Sequence, residues 1–581
     1  MSTTERLRTS KSSSVQSRRF VFSTTVARGL RAALLIVVGL AVTIGSASSD
    51  AYLHRGTSQD NSVIYRQPTG RALATNVDLR GMSDTALQSS INYLSSGGYG
   101  FVRQEFSWTQ FESAPGKFDW TEYRRIVDAL SAANIDVVVV LVDSPIWARA
   151  PDAVAFRDAP PLNVQVYEQM CAALRAEFPD LHLFQIGQNL DDPEFWGGKS
   201  LQALTYRQLL SAAARGLDIA ATDSTLISGE VSMNPDIRKT GGDIEVIERL
   251  LRDPDIRGLI RVVGISADGG NESPYDRSTA VDQTNLSRVV LIREAIDNTG
   301  ATDMPIWFTH VGWTGSGETP VSPDDQARFV ESAFRRARSE WPWVGLIFNW
   351  TLNVEPDVPN SANLALIVNG NPTPLYSAMS GFAKSSFGAS ITNGFVPANA
   401  SACDYSGNWQ DQHLTEGIYR TVRDPNSAVT CRFWGTGISV FFRFSPDAGT
   451  ARYAIDSTDL ESASNRNSGS VVLKYRVQDA FEAPVALASG LSEGEHTVTI
   501  ALDDSGGELV IGGFLVSRER PMIWPIAVLV AAGLVALFLG FRALAFLAAE
   551  HVGLIEPKSD APAQTPLPTL PDWKPAPRFR R

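Results

Sequence analysis

Two stretches of this chain are apolar without a break. Ala32–Ser49 carries no charge and is dense in Leu, Val, Ile and Ala, and Pro521–Phe541 is uncharged over 21 residues. About 20 such residues wound as a helix cross the hydrocarbon core of a bilayer, so both segments predict membrane spans. Trp524 suits one headgroup boundary and Arg542 follows the second segment. For the first segment, Ser46-Ala47-Ser48 leaves a cleaved signal peptide as the alternative to an uncleaved signal anchor.

Between the spans the pattern is that of a packed protein. Eight apolar runs read as strands: Ala74–Leu79, Phe101–Phe106, Asp136–Val142, Leu181–Gly187, Thr225–Val231, Leu259–Ala267, Pro305–Gly312 and Val344–Trp350. Their starts lie 27 to 46 residues apart, room each time for a crossover helix. Tyr123, Ile126, Val127 and Leu130 recur at helical spacing between the second and third. Val137–Val142 is apolar on both faces, as a strand covered by helices must be. Eight such units over residues 72–388 predict a (β/α)8 TIM barrel. From 389 to 517 the texture changes to short strands separated by Gly, Ser, Asp and Asn, namely Ile438–Arg443, Ala451–Asp456, Ser470–Val477, His496–Ala501 and Leu509–Leu515. That stretch predicts an all-β sandwich.

Charge then orders the pieces. Residues 1–31 hold seven Lys/Arg and one acid, residues 542–581 six and four, and the region between is near −20 against −12 for the whole chain. Basic flanks stay cytoplasmic, so both termini are expected inside the cell membrane, with barrel and sandwich extracytoplasmic. The tail Pro557–Pro577 has seven prolines in 21 residues and predicts an extended, solvated segment. Acidity argues against nucleic acid as a partner. Three cysteines exclude a disulfide framework, and six histidines without metal-ligand spacing predict no metal site. No cofactor is expected. An oxidising exterior would allow Cys403 and Cys431, both in the sandwich, to pair, whereas Cys171 reads as a small core residue.

In a barrel, chemistry sits at the C-terminal strand ends. Strand two offers Arg103 and Trp108, followed by Pro115-Gly116-Lys117-Phe118-Asp119-Trp120, and strand three Ser144-Pro145-Ile146-Trp147-Ala148. Asn371-Pro372-Thr373-Pro374-Leu375-Tyr376 precedes the last helix. In this ordered series Asn76–Phe387 resembles the clan A glycoside hydrolases, the xylosidase- and cellulase-like families. The resemblance implies a general acid/base Glu after strand four and a nucleophilic Glu after strand seven. Here Gly187-Gln188-Asn189-Leu190 puts Asn189 at the first position, and Thr309-His310-Val311-Gly312-Trp313 puts His310 at the second. Strand six reads Ser266-Ala267-Asp268.

Retaining hydrolysis needs two carboxyl groups about 5–5.5 Å apart, one to attack and one to protonate the leaving oxygen. Asn exchanges no proton at neutral pH, and His carries no negative charge to balance an oxocarbenium ion. A membrane-anchored pseudoglycosidase is therefore expected, binding a polysaccharide or oligosaccharide, or an envelope protein partner in polysaccharide metabolism. Its sugar-binding candidates are Arg103, Trp108, Trp147, Gln188, Trp313 and Trp350, the indoles as stacking faces. Arg103, without its family partner, would pair with Glu105 or Asp143 or meet an acidic saccharide. The rivals are an active glycosidase using Asp143, Asp191, Asp192, Glu230 or Asp268, and a scaffold with a plugged mouth. The sandwich resembles carbohydrate-binding accessory modules.

Overall fold

The structure is a computed structural model and describes residues 13–57, 63–233, 242–280, 282–313, 321–355, 360–414, 417–458, 460, 468–476, 479–503, 507–518 and 524–551. The basic leader up to residue 12 and the proline-rich tail lie outside the described residues. The chain forms two compact units, one of residues 1–54 with 521–581 and one of 55–520.

The first unit is a pair of helices, Ser13–Leu53 and Trp524–His551. Within them Val26–Tyr52 and Ala527–Ala549 are long and apolar enough to cross a membrane. Both runs exceed the expected segments, and the second carries Arg542 inside it rather than past its end. Helix hydrogen bonding is indifferent to one charge, which a long guanidinium stem can carry to the interface. The two helices pack antiparallel along glycines. A Cβ on Gly39 would meet the Gly533 carbonyl at 2.8 Å, one on Gly533 Thr43 Oγ1, and one on Gly540 the Ala32 carbonyl at 3.0 Å. Helices in lipid associate by such close backbone approach, because apolar side chains gain nothing by leaving lipid tails. Arg28 and Arg31 thus sit toward the same end of the pair as Arg542.

In the second unit eight parallel strands close into a barrel: β1 Leu73–Val77, β2 Tyr99–Ser107, β3 Asp136–Val142, β4 Leu183–Ile186, β5 Thr225–Ser228 resuming at Val231–Ser232, β6 Val263–Asp268, β7 Ile306–Gly312 and β8 Val344–Asn349. β8 pairs with β1, and β5 closes the ring by pairing with β4 through its first half and β6 through its second. The predicted strands fall within a few residues of these. The largest shift is in β6, because Pro254–Leu259 is a helix capped by the Asp253 carboxylate. Tyr123, Ile126 and Leu130 are buried in the helix Thr121–Ala132. Side chains alternate across each strand, so Phe101, Val138, Leu183, Ile227, Val262, Trp307, Leu346 and Phe348 fill the lower barrel as one apolar cluster.

The sandwich has strands β9 Gly394–Pro397, β10 Cys403–Ser406, β11 Gln410–Leu414, β12 Gly417–Val422, β13 Ala428–Gly435, β14 Gly437–Phe444, β15 Thr450–Ile455, β16 Ser468–Val472, β17 Phe481–Ala488, β18 Gly494–Leu502 and β19 Leu509–Ser517. One sheet runs β11-β12-β19-β14-β17 with β9 also on β19; the other runs β10-β13-β18-β15-β16. Cys403 faces Cys431 across β10 and β13, and the two are disulfide-bonded. Cys171 is free and buried. The sandwich seats on the N-terminal face of the barrel, where Arg66 reaches Glu482 and lies over Phe395 and Phe441. The unit's two ends meet at one corner. The Trp343 indole donates to Gly56 O at 3.3 Å, and Arg518 donates to Ser339 O at 3.4 Å.

Candidate functional site

Two residues above the apolar filling, the same inward alternation places Asn76, Arg103 and Gln185 on the barrel axis. Arg103 is buried and donates through Nε to Gln185 Oε1 at 2.9 Å, through Nη1 to Asn76 Oδ1 at 2.9 Å and through Nη2 to Glu230 Oε2 at 2.8 Å. Gln185 Nε2 donates to the same Glu230 oxygen and to Gly187 O. Asn76 Nδ2 donates to the Thr309 and Asn349 carbonyls at 2.7 and 3.0 Å. The network therefore ties strands one, two, four, five, seven and eight together. The sequence leaves Arg103 to pair with Glu105 or Asp143 or to meet an acidic saccharide. In the structure the break in β5 brings Glu230 to Arg103, while Glu105 is held by Arg80 at 3.2 Å and Asp143 by Arg157 at 3.3 Å.

That break has a local cause. A Cβ on Gly229 would come 2.7 Å from Leu190 and 3.0 Å from the Gly187 backbone, so the β4 and β5 loops pack here only as glycine. Leu190 N donates to the Glu230 backbone carbonyl at 2.8 Å and ties the two loops together, while Arg103 and Gln185 hold the carboxylate. At 2% exposure Glu230 is closed to solvent.

His310 reaches the axis through a register shift between Phe308 and His310 on β7, a bulge that re-aims a side chain. Its ring lies 5.3 Å from that of Trp350. Burial, with the Arg103 charge adding, holds its pKa well below the ordinary histidine value, so the imidazole is neutral at pH 7. Asn189 sits in a left-handed turn, φ 45°, partly exposed beside Gln188.

The other carboxylates are engaged. Asp143 accepts from Ser107 Oγ at 2.5 Å and Thr109 N at 2.8 Å, and pairs with Arg157 at 3.3 Å. Asp191 is buried and accepts from Ser232 N at 2.9 Å; burial pushes it up to about 6. Asp192 caps the turn Pro193–Trp196, and Asp268 accepts from Gly270 N at 2.9 Å. Two acids the sequence did not single out have raised pKa values at this end. Burial drives Asp158 up to about 6, with Asp143 and Glu105 adding to the shift and Arg157 opposing it. Burial also raises Glu355, with Glu105 and Asp78 adding and Thr351 opposing.

Of the four tryptophans, two belong to the core. Trp108 is 1% exposed, gives its N–H to Glu112 and packs edge-to-face on Trp147. Trp313 is 1% exposed and donates to Glu272 O at 2.7 Å. Neither offers a face for a sugar to stack on. Trp147 and Trp350 remain partly exposed. Among the described residues no group of three or more His, Cys, Asp or Glu is placed to hold a metal ion.

No family model matches the chain, and no curated protein matches it. Solved structures do resemble it. A family 39 glycoside hydrolase from Bacteroides cellulosilyticus WH2 shares 16% identity over 74% of this chain and 81% of its own, with TM-score 0.44. A GH39 beta-xylosidase from Caulobacter crescentus shares 15% over 76% and 99%, with TM-score 0.41. The exo-beta-1,4-mannosidase Op5Man5 from Opitutaceae bacterium strain TAV5 shares 17% over 56% and 62%, with TM-score 0.41. At these values the likeness is one of chain course, and the functional argument stands on the residues above.

Proposed function

We propose that this protein is a membrane-anchored pseudoglycosidase that binds a saccharide at the barrel mouth without hydrolysing it. One observation carries the proposal. The ends of strands four and seven supply Asn189 and a neutral His310, while the carboxylate on the axis, Glu230, is shut behind its ion pair with Arg103. Such a site has no nucleophile of negative charge and no exchangeable acid at the two places hydrolysis needs them. It keeps what binding needs: amides at Gln188 and Asn189, an imidazole that both donates and accepts, and the partly exposed indoles of Trp147 and Trp350. The two apolar helices anchor the molecule, and Arg28, Arg31 and Arg542 keep the shared end cytoplasmic. An envelope protein in polysaccharide metabolism is the partner class this arrangement suits.

The test is a glycan array with the full chain in detergent micelles, run beside aryl-glycoside hydrolysis. Binding that falls at least tenfold in Trp350→Ala, with no turnover, is the expected result. The raised acids Asp158 and Glu355 favour a second reading, hydrolysis by relocated carboxyl groups. Turnover abolished by Asp158→Asn or Glu355→Gln would replace the first reading with that one.

A further inference from the structure

Away from the mouth, a cleft of about 1980 Å³ opens between the N-terminal face of the barrel and the β9–β12 side of the sandwich. Pockets for small ligands run to roughly 300–1,000 Å³, so this volume suits a chain rather than a single ring. Three buried polar atoms along it have no hydrogen-bond partner among the described residues: Gln67 Nε2, Thr69 Oγ1 and Ser224 Oγ. Gln67 is 3% exposed, and its other amide atom already accepts from the Trp307 indole. A buried donor left unpaired costs about 1–3 kcal/mol, so these atoms call for a guest that carries hydroxyl groups.

The charges around the rim give the guest its sign. Arg66, Arg124 and Arg215 are each held by an acid, Glu482, Glu177 and Glu168. Among the described residues, Arg261 is the lining arginine without an ion pair. Asp128, Asp136, Asp180 and Asp218 also line the cleft and likewise have no ion pair among the described residues. Four unbalanced carboxylates against one guanidinium make an anionic groove, which favours a cationic chain.

We propose that this cleft is a second binding site, distinct from the mouth, for a saccharide chain bearing free amino groups. Hydroxyls satisfy Gln67, Thr69 and Ser224, and ammonium groups meet the four aspartates.

The test uses the full chain in detergent micelles, with a β-1,4-linked glucosamine hexamer as probe and its N-acetylated form and an oligolysine as comparisons. The glucosamine hexamer binds, and raising salt weakens it. Ser131→Trp and Gly258→Trp each reduce affinity at least tenfold. Both positions are exposed in the cleft, and a side chain on Gly258 meets nothing within 4 Å, so neither disturbs the core; an unchanged melting temperature checks this. Asp128→Asn with Asp136→Asn weakens the amine form and leaves the acetylated form as it was. No binding, equal binding of the acetylated hexamer, tighter binding of oligolysine, or indifference to both tryptophans overturns the proposal. Loss on Trp350→Ala alone assigns the binding to the mouth, so failure here leaves the mouth proposal standing on its own test.

Discussion

Glu230→Gln is the sharpest test of how the barrel mouth is built. Glu230 and Arg103 are 2% and 5% exposed, and the guanidinium has no anion closer than the 2.8 Å carboxylate. The substitution keeps the shape and removes the charge, which leaves a cation buried without a counterion. Breaking one side of such a pair costs about 3–5 kcal/mol. At about 2 °C per kcal/mol for a domain of this size, the barrel transition should fall by about 6–10 °C. Arg103→Met should cost a similar amount, because it strands the carboxylate along with Asn76 Oδ1 and Gln185 Oε1. Combining Arg103→Met with Glu230→Gln removes both charges, so the double variant should fall short of the summed singles by about 2–3 kcal/mol. The assay is thermal unfolding of the full chain in detergent, followed by tryptophan fluorescence. Additive losses would refute the pairing as an energetic unit. A rise in melting temperature for Glu230→Gln would mean that the carboxylate is held at a cost to stability, as catalytic groups are, and would undo the proposal that the mouth is inert.

Three further outcomes are expected. Burial lowers the His496 pKa, but the Ser492 carbonyl and the Asp456 carboxylate, 2.8 Å away, outweigh it and raise the value above the ordinary one. Its stabilisation is therefore full below about pH 6.5 and lost as pH rises through the folded value; unfolding of wild type and His496→Gln at pH 5.5 and 8.5 should differ more at the lower pH. Reducing Cys403–Cys431, 28 residues apart, should cost the sandwich about 3–4 kcal/mol by chain entropy, while Cys171, its thiol pushed up by burial, should resist alkylation until the barrel unfolds. In membranes the separately expressed helices Ser13–Leu53 and Trp524–His551 should associate, and Gly533→Leu should abolish the association; association that survives it would mean that the glycine seam does not hold the spans together.

What could be read from the sequence follows from how local each signal is. β3 was legible to the residue because Val137–Val142 is apolar on both faces and bounded by turns. The sandwich was half legible. β14, β15 and β18 alternate cleanly, but Gln410–Leu414 is a polar edge strand and Phe481–Ala488 is broken by Pro484, so neither has a strand's hydrophobic period. At the site, Asn189, His310 and Arg103 stood out as single residues. The partnership of Arg103 with Glu230 did not, since it joins positions 127 apart through a kink that depends on Gly229 meeting the Gly187 loop. Glu355 and Asp158 lie in loops, and only packing reveals that their carboxyl groups are desolvated. The burial of Trp108 and Trp313 is not legible in the sequence, because a strand-end indole reads the same whether its face meets solvent or another ring.

The meeting of Gly56 and Arg518 beside the Ser339–Trp343 turn makes the 55–520 unit a loop whose two ends leave as neighbours. Chains of this kind tolerate circular permutation. A short linker from 518 to 56, with new ends opened at the exposed turn around Gly490, should still fold. Shedding follows the same logic. Under the proposed double anchor, one proteolytic nick beside either apolar helix leaves the domain attached by the other, and release requires two cuts.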